Sequence, residues 1–181
     1  FKPNCKINLI HVYLMVSKEP NLSIIKQLKF DNNPFIIFSN ILETYIGGCA
    51  NNSYLLNHCN SDIFMYLYKP EYVTDTIKNY YCTIADADSS ILKLLFTNKN
   101  DKNKIVSEEE NWTFLHVLIW NGSWGGDDEK LKIFNCYQQL VTEENKKIKD
   151  NDNRTPLDLY KYVYSNSTKS KEDLAIESLL S

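Results

Sequence analysis

The chain spells Asn111-Trp112-Thr113-Phe114-Leu115-His116-Val117-Leu118-Ile119-Trp120-Asn121-Gly122 at one place. It spells Asp150-Asn151-Asp152-Asn153-Arg154-Thr155-Pro156-Leu157-Asp158-Leu159-Tyr160 at another. Both run from a polar turn through a Thr into an apolar segment. A Thr in that position caps a helix by bonding to backbone N–H groups of its first turn. Pro156 fits the first helical position, where its missing donor costs nothing. The Asp- and Asn-rich residues before each Thr predict a turn at the tip of a hairpin.

The two stretches resemble the start of an ankyrin repeat, whose signature is Thr-Pro-Leu-His followed by small or apolar residues and a later Gly. The second keeps Thr155-Pro156-Leu157, and the first keeps Thr113-x-Leu115-His116 and Gly122. The resemblance implies that the Leu points into a stack and that the His bonds to neighbouring backbone across repeats. Fainter copies follow in the same register: Asn8 to Leu14 with Ile10 and His11, Asn40 to Ile46 with Leu42, and Thr76 to Tyr81 with Ile77. The Leu-slot positions are then Ile10, Leu42, Ile77, Leu115 and Leu157, with gaps lengthening beyond the family period of about 33 residues. The segment Gly122-Ser123-Trp124-Gly125-Gly126-Asp127-Asp128 reads as one insertion, lengthening the turn between two helices.

Each copy is followed by apolar residues at helical spacing. These are Ile24, Ile25 and Leu28; Ile63, Phe64 and Leu67; Ile91, Leu94 and Leu95; Leu131, Phe134, Tyr137 and Leu140; and Leu174, Ile176, Leu179 and Leu180. The expected architecture is all-α: an ankyrin-repeat solenoid of about five irregular helix pairs with short hairpin turns and insertions. Its repeats fall near 4–33, 34–69, 70–104, 105–146 and 147–181, in a single domain. Tyr13, Tyr45, Tyr80, Leu118 and Tyr160 stand where the family favours small residues, which predicts an unevenly curved stack. Within the family, the texture is similar to ankyrin domains of poxviruses, of fungal nuclear regulators and of bacterial effectors.

Composition agrees with a folded, non-membrane chain. The 181 residues are 43% hydrophobic, enough for a core. No apolar run approaches the roughly 18–20 residues of a membrane span. With 20 Lys+Arg against 23 Asp+Glu, the net charge of -3 gives no broad basic footprint, so direct nucleic-acid binding is not expected. The sequence opens on Phe1, which reads as part of a longer protein. Its first residues lack the pattern of a signal peptide. Five cysteines at irregular spacing do not form a disulfide framework. Sequons at Asn21, Asn51, Asn111, Asn121, Asn153 and Asn166 are expected by chance in an Asn-rich chain. A reducing, intracellular setting, cytoplasmic or nuclear, is the expectation.

No catalytic motif is present, and no enzyme activity or cofactor is expected. Cys49, His58 and Cys59 lack the paired ligands of a closed zinc site, so no metal is expected. Cys136 reads as a core thiol, and His11 and His116 as structural. Lys99 to Lys104 reads as a mobile polar loop, and Lys146, Lys147 and Lys149 as lining a turn. Glu108-Glu109-Glu110 is either a solvated acidic turn or an electrostatic contact for a basic partner. Trp120 and Trp124 are either binding hot spots or cover for the enlarged turn. Trp112 is expected to pack in the hairpin.

The resemblance implies a non-catalytic module that binds a partner protein through its concave face and hairpin tips, as a monomeric domain. The tips lie near Asn33, Tyr72, Glu109, Glu110 and Asp152. The helix face carries Val12, Thr44, Asn79, Trp120 and Lys161, with Trp124 on the insertion. The alternative is a structural scaffold packing against other domains of its parent protein.

Overall fold

The computed structural model describes residues 13, 17, 19, 21–28, 61–68, 70–83, 88–122, 127–164 and 169–181. These residues are mostly helical, with one short antiparallel strand pair. The chain divides into two compact units, Phe1–Ile77 and Lys78–Ser181.

In the first unit, α1 (Leu22–Gln27) packs on α2 (Ser61–Leu67) through Ile25, Ile63 and Phe64, all buried. Asn21 caps α1, its side chain accepting from the Ser23 N–H at 2.8 Å. Ile24, expected on the apolar stripe, is exposed, as are Met65 and Tyr66. The short 3-10 segment Pro70–Tyr72 follows α2.

Helix α3 (Asp75–Cys82) carries the boundary between the units. In its first turn the Thr74 hydroxyl accepts from the Ile77 N–H at 3.3 Å. Ile77 is buried.

The second unit is built from helices in sequence-adjacent pairs. α4 (Ser89–Leu95) starts at Asp88, whose carboxylate accepts from the Ser90 N–H at 2.8 Å. The stretch expected as a mobile loop instead forms a helical turn, α5 (Lys99–Lys102), capped by Asn98. It is anchored because the Asn145 amide donates to the Lys102 carbonyl at 3.1 Å and the Thr142 hydroxyl to Asn103 at 2.6 Å. β1 (Ile105–Ser107) and β2 (Trp112–Thr113) make an antiparallel hairpin that feeds directly into α6 (Phe114–Asn121). Gly122 ends α6 where a methyl group would come 3.3 Å from Tyr137 Oη, so the close approach itself calls for glycine. Then come α7 (Asp127–Leu140), α8 (Pro156–Val163) and α9 (Lys171–Leu180).

Helix α6 packs against α7 and α8, α7 against α4 and α9, and α8 against α9. α6 and α8 lie side by side in parallel. Their entry turns are hydrogen-bonded to each other, and at their exits the Tyr164 hydroxyl donates to the Gly122 carbonyl at 2.9 Å. Phe114, Leu115, Val117, Leu118 and Ile119 bury α6 almost all round, as befits a central helix. On α7 the buried positions are Ile133, Cys136, Tyr137 and Leu140, while Leu131 is exposed. On α9 they are Ile176 and Leu180, while Leu174 is exposed. The apolar stripes of both helices therefore start later than spacing alone suggests. Their first turns are fixed instead by a buried ion pair, Lys130 to Asp173 at 2.9 Å.

Candidate interaction surface

Two hairpin tips stand next to each other in the second unit. The first turns over Glu108–Asn111, between strands paired Ile105↔Thr113 and Ser107↔Trp112. Asn111 adopts φ 57°, the left-handed region that Asn tolerates better than most side chains. The second tip turns over 150–154, with Asn153 at φ 63°. Asp150 organises it. Its Oδ1 accepts from the N–H groups of Asp152 (3.0 Å) and Arg154 (2.8 Å), and its Oδ2 from Arg154 Nε (2.8 Å). Burial works to raise the Asp150 pKa, but the Arg154 N–H and guanidinium outweigh it and hold the carboxyl below its ordinary range.

The tips are fastened together. The Asn151 N–H donates to the Glu110 carbonyl at 3.0 Å, its side-chain amide donates to the Glu109 carbonyl, and the Asn111 amide donates to the Lys149 carbonyl at 2.6 Å. The Ser107 hydroxyl donates to the Glu110 carboxylate. Two sequon asparagines, Asn111 and Asn153, are thus the turn residues that precede Thr caps.

Each Thr opens a helix with a side chain reaching back from the third helical position. Thr155 accepts from the Asp158 N–H at 3.2 Å, and Asp158 accepts from the Thr155 N–H (3.0 Å) and hydroxyl (2.7 Å). Those bonds lower the Asp158 pKa. In α6 the partner is His116. Its Nδ1 accepts from the Thr113 N–H at 3.3 Å and lies 2.9 Å from the Thr113 hydroxyl, which places the ring proton on Nε2. Thr113 and His116 are both fully buried. Burial pushes the His116 pKa down to about 4, against the opposing pull of Asp150 and the Arg154 backbone. The imidazole is a neutral structural link between the cap and the neighbouring Arg154 backbone.

Counting from the two Thr caps aligns the two segments of this unit, 105–121 and 150–163, residue by residue. Trp120 and Tyr162 are the penultimate residues of α6 and α8, and Trp112 and Arg154 immediately precede the caps. The same contact recurs in both. The Trp112 and Trp120 ring centroids are 5.5 Å apart, and the Arg154 guanidinium lies 5.1 Å from the Tyr162 ring centroid. Trp120 is 43% and Tyr162 61% exposed. Since α6 and α8 are parallel neighbours, both rings lie on one face, beside the tips.

Of the residues singled out in the sequence, Trp120 lies on α6, Glu109, Glu110 and Asp152 lie in the two joined tips, and Lys161 lies on α8 beside Tyr162. Glu109, Asp152 and Lys161 are exposed and Glu110 is half-buried. Tyr162, not Lys161, is the structural counterpart of Trp120. Aligning the two Thr residues finds it directly. Asn79 does not join the face: it is half-buried, and its Oδ1 is enclosed without a hydrogen-bond partner. Tyr72 ends the 3-10 segment of the other unit. Val12, Asn33, Thr44 and Trp124 lie outside the described residues, as do His11, Cys49, His58 and Cys59.

Other titratable groups are engaged in structure. Asp173 accepts from Lys130 (2.9 Å), the Tyr160 hydroxyl (2.7 Å) and the Ser170 N–H (2.7 Å). Against the cost of burial, these donors hold its carboxyl well below the usual range. Cys82 and Cys136 are buried, and burial pushes the Cys136 thiol up to about 12. Among the described residues, no group of three or more His, Cys, Asp or Glu could hold a metal ion. Among the same residues, no helix is long and apolar enough to cross a membrane. No protein-family model matches the chain, and neither a curated protein nor a solved structure matches it.

Proposed function

We propose that the chain is a divergent ankyrin-type repeat domain acting as a non-catalytic protein-interaction module. The partner protein would lie across the α6/α8 face and the two hairpin tips. One observation carries this reading: tip, Thr cap, first helix and exposed penultimate ring recur in register in two adjacent segments, 105–121 and 150–163. Recurrent placement of Trp120 and Tyr162 on one face gives a large contact area with few rotamers to freeze. The capping Thr113–His116 link, repeated as Thr155–Asp158, supports the ankyrin register. This reading sets the domain in a reducing, intracellular compartment, cytoplasmic or nuclear, in keeping with the irregular cysteine spacing.

The test is affinity capture from a cell lysate with the 181-residue chain and its Trp120→Ala/Tyr162→Ala double variant. Circular dichroism checks that both are equally helical. The reading expects a partner that the double variant loses; a partner retained by the folded variant moves recognition to another surface.

A scaffold role is the second reading, in which the chain packs against other domains of its parent. It is favoured by the exposed Ile24, Met65 and Tyr66 of the first unit and by Leu131 and Leu174 of the second. Concentration-dependent self-association in sedimentation, unaffected by the double variant, would support it.

A further inference from the structure

Two charged side chains are buried where α7 meets α9. Lys130 and Asp173 have side chains only 9% and 3% exposed, and they stand 2.9 Å apart. Burying an ion pair is a poor route to stability, because the cost of desolvating both charges offsets their attraction. An apolar pair of similar volume would hold the two helices at least as well. The pair therefore calls for another role.

Its surroundings point to one. Counting from the pair, the buried positions that follow are matched on the two helices. Ile133 and Tyr137 stand three and seven residues on in α7, and Ile176 and Leu180 three and seven residues on in α9. Such a stripe recurs at each helical turn, and apolar contacts have no direction. After a slip of one turn, the apolar side chains of α9 would meet apolar side chains again. The charges would not. A slip parts the Asp173 carboxylate from the ammonium and leaves it buried, and an uncompensated buried charge is strongly destabilising. Other elements share the same carboxylate. It accepts from the Tyr160 hydroxyl of α8 at 2.7 Å. It also accepts from the Ser170 N–H at 2.7 Å and hydroxyl at 2.9 Å, closing the cap of α9. One group thus marks where α9 starts, its offset along α7 and its contact with α8, the helix that carries Tyr162.

We propose that the Lys130–Asp173 pair is a register pin. It selects one stacking offset of α9 on α7 among offsets one helical turn apart, and it contributes selection rather than net stability. This holds whether or not the α6/α8 face binds a partner.

The test replaces both charges by apolar groups of similar size, Lys130→Met/Asp173→Leu, in the full chain. Circular dichroism and urea unfolding read helicity and stability, and 1H–15N NMR spectra read the number of α9 conformations. The double variant should keep its helicity and a urea midpoint equal to or above that of the unmodified chain. Its α9 amides should give two or more sets of resonances, or exchange-broadened ones, where the unmodified chain gives one. Methyl NOEs from Ile176 to α7 should then report two sets of neighbours one turn, ~5 Å, apart. Lys130→Met alone leaves the carboxylate buried without its cation and should unfold at lower urea than either. Ser170→Ala loses the cap hydroxyl but keeps the pair, and should lower the midpoint while leaving a single set. One sharp set with unchanged NOEs in the double variant would overturn the proposal. A double variant that unfolds, or is no more stable than Lys130→Met, would overturn it too, since the pair would then supply stability. Doubled α9 resonances in Ser170→Ala would do the same by tracing the heterogeneity to the cap.

Discussion

Residues 105–121 and residues 150–163 follow one backbone plan with opposite chemistry. Both pass through a left-handed Asn, a Thr cap and a side chain that reaches back from the third helical position. The first then fills its helix with buried apolar side chains, and Thr113 and His116 are themselves buried. The second buries Pro156, Leu159 and Tyr160 but relies more on charge: Asp150, Asp152 and Arg154 form its tip, Asp158 is exposed, and Leu157 is only half-buried. A few turn and cap residues therefore dictate the path, and packing or charge can each stabilise it.

The largest expected effect tests whether packing is as unequal as burial says. Leu115→Ala leaves a cavity at a fully buried position of α6. It should cost about 3–4 kcal/mol in urea unfolding of the full chain. Leu157→Ala, at the aligned position, should cost about 1–2 kcal/mol because that side chain already meets solvent. Equal costs would break the comparison.

Acid distinguishes the two caps next. His116 has a folded pKa near 4 against 6.5 for the ordinary group, so the unfolded chain takes up its proton first. The His116 contribution to stability falls as pH drops from about 6.5 towards 4 and levels off below, a loss of about 3 kcal/mol. The carboxyls of Asp150, Asp158 and Asp173 are all depressed in the fold. Their contributions are present above their ordinary carboxylate range and are lost only at lower pH. Urea midpoints measured at pH 7, 5 and 4 should therefore drop early, and His116→Asn should remove that early drop. A profile flat above pH 4 in the unmodified chain would contradict the neutral buried imidazole.

Caps and tips were the legible part of the fold. Thr113, Thr155 and Pro156 announce helix starts because their chemistry is local, and the Asp- and Asn-rich turns do the same. Misread features depended on tertiary partners. Leu131 and Leu174 have helical spacing, but the neighbouring Lys130–Asp173 pair takes the buried position in each first turn. No pattern in either helix alone reveals a pair formed between helices. At α3 the Thr74 hydroxyl bond to the Ile77 N–H was not anticipated, because no motif in the sequence marks Thr74 as a cap. On the candidate surface, Trp120 was legible as a large aromatic beyond a motif. Tyr162 was hidden among the tyrosines until the two caps were aligned.

Removing the cap hydroxyls should give intermediate effects. Thr155→Ala removes a half-exposed reciprocal cap and should cost about 1 kcal/mol. Thr113→Ala also takes a partner from the buried His116 Nδ1 and should cost about 2 kcal/mol. Both are read from thermal or urea midpoints at pH 7, where the imidazole is neutral. Identical losses would mean that the Thr113–His116 contact adds nothing to the cap.

The smallest effect has opposite signs at the two left-handed asparagines. Glycine adopts their backbone conformation without a Cβ penalty, which favours Asn→Gly at both positions. Glycine also gains freedom in the unfolded chain, which partly offsets that benefit. The side-chain bonds decide the balance. Asn111 donates to the Lys149 carbonyl at 2.6 Å and so ties one tip to the other, whereas Asn153 only accepts from the exposed Lys149 ammonium at 3.1 Å. Asn111→Gly should therefore lose about 0.5 kcal/mol, and Asn153→Gly should be neutral or gain a few tenths. Their double variant should be additive within about 0.5 kcal/mol, because the tips remain joined by the Asn151 N–H to Glu110 carbonyl bond. A stabilising Asn111→Gly would show that the backbone bonds alone hold the tips in register.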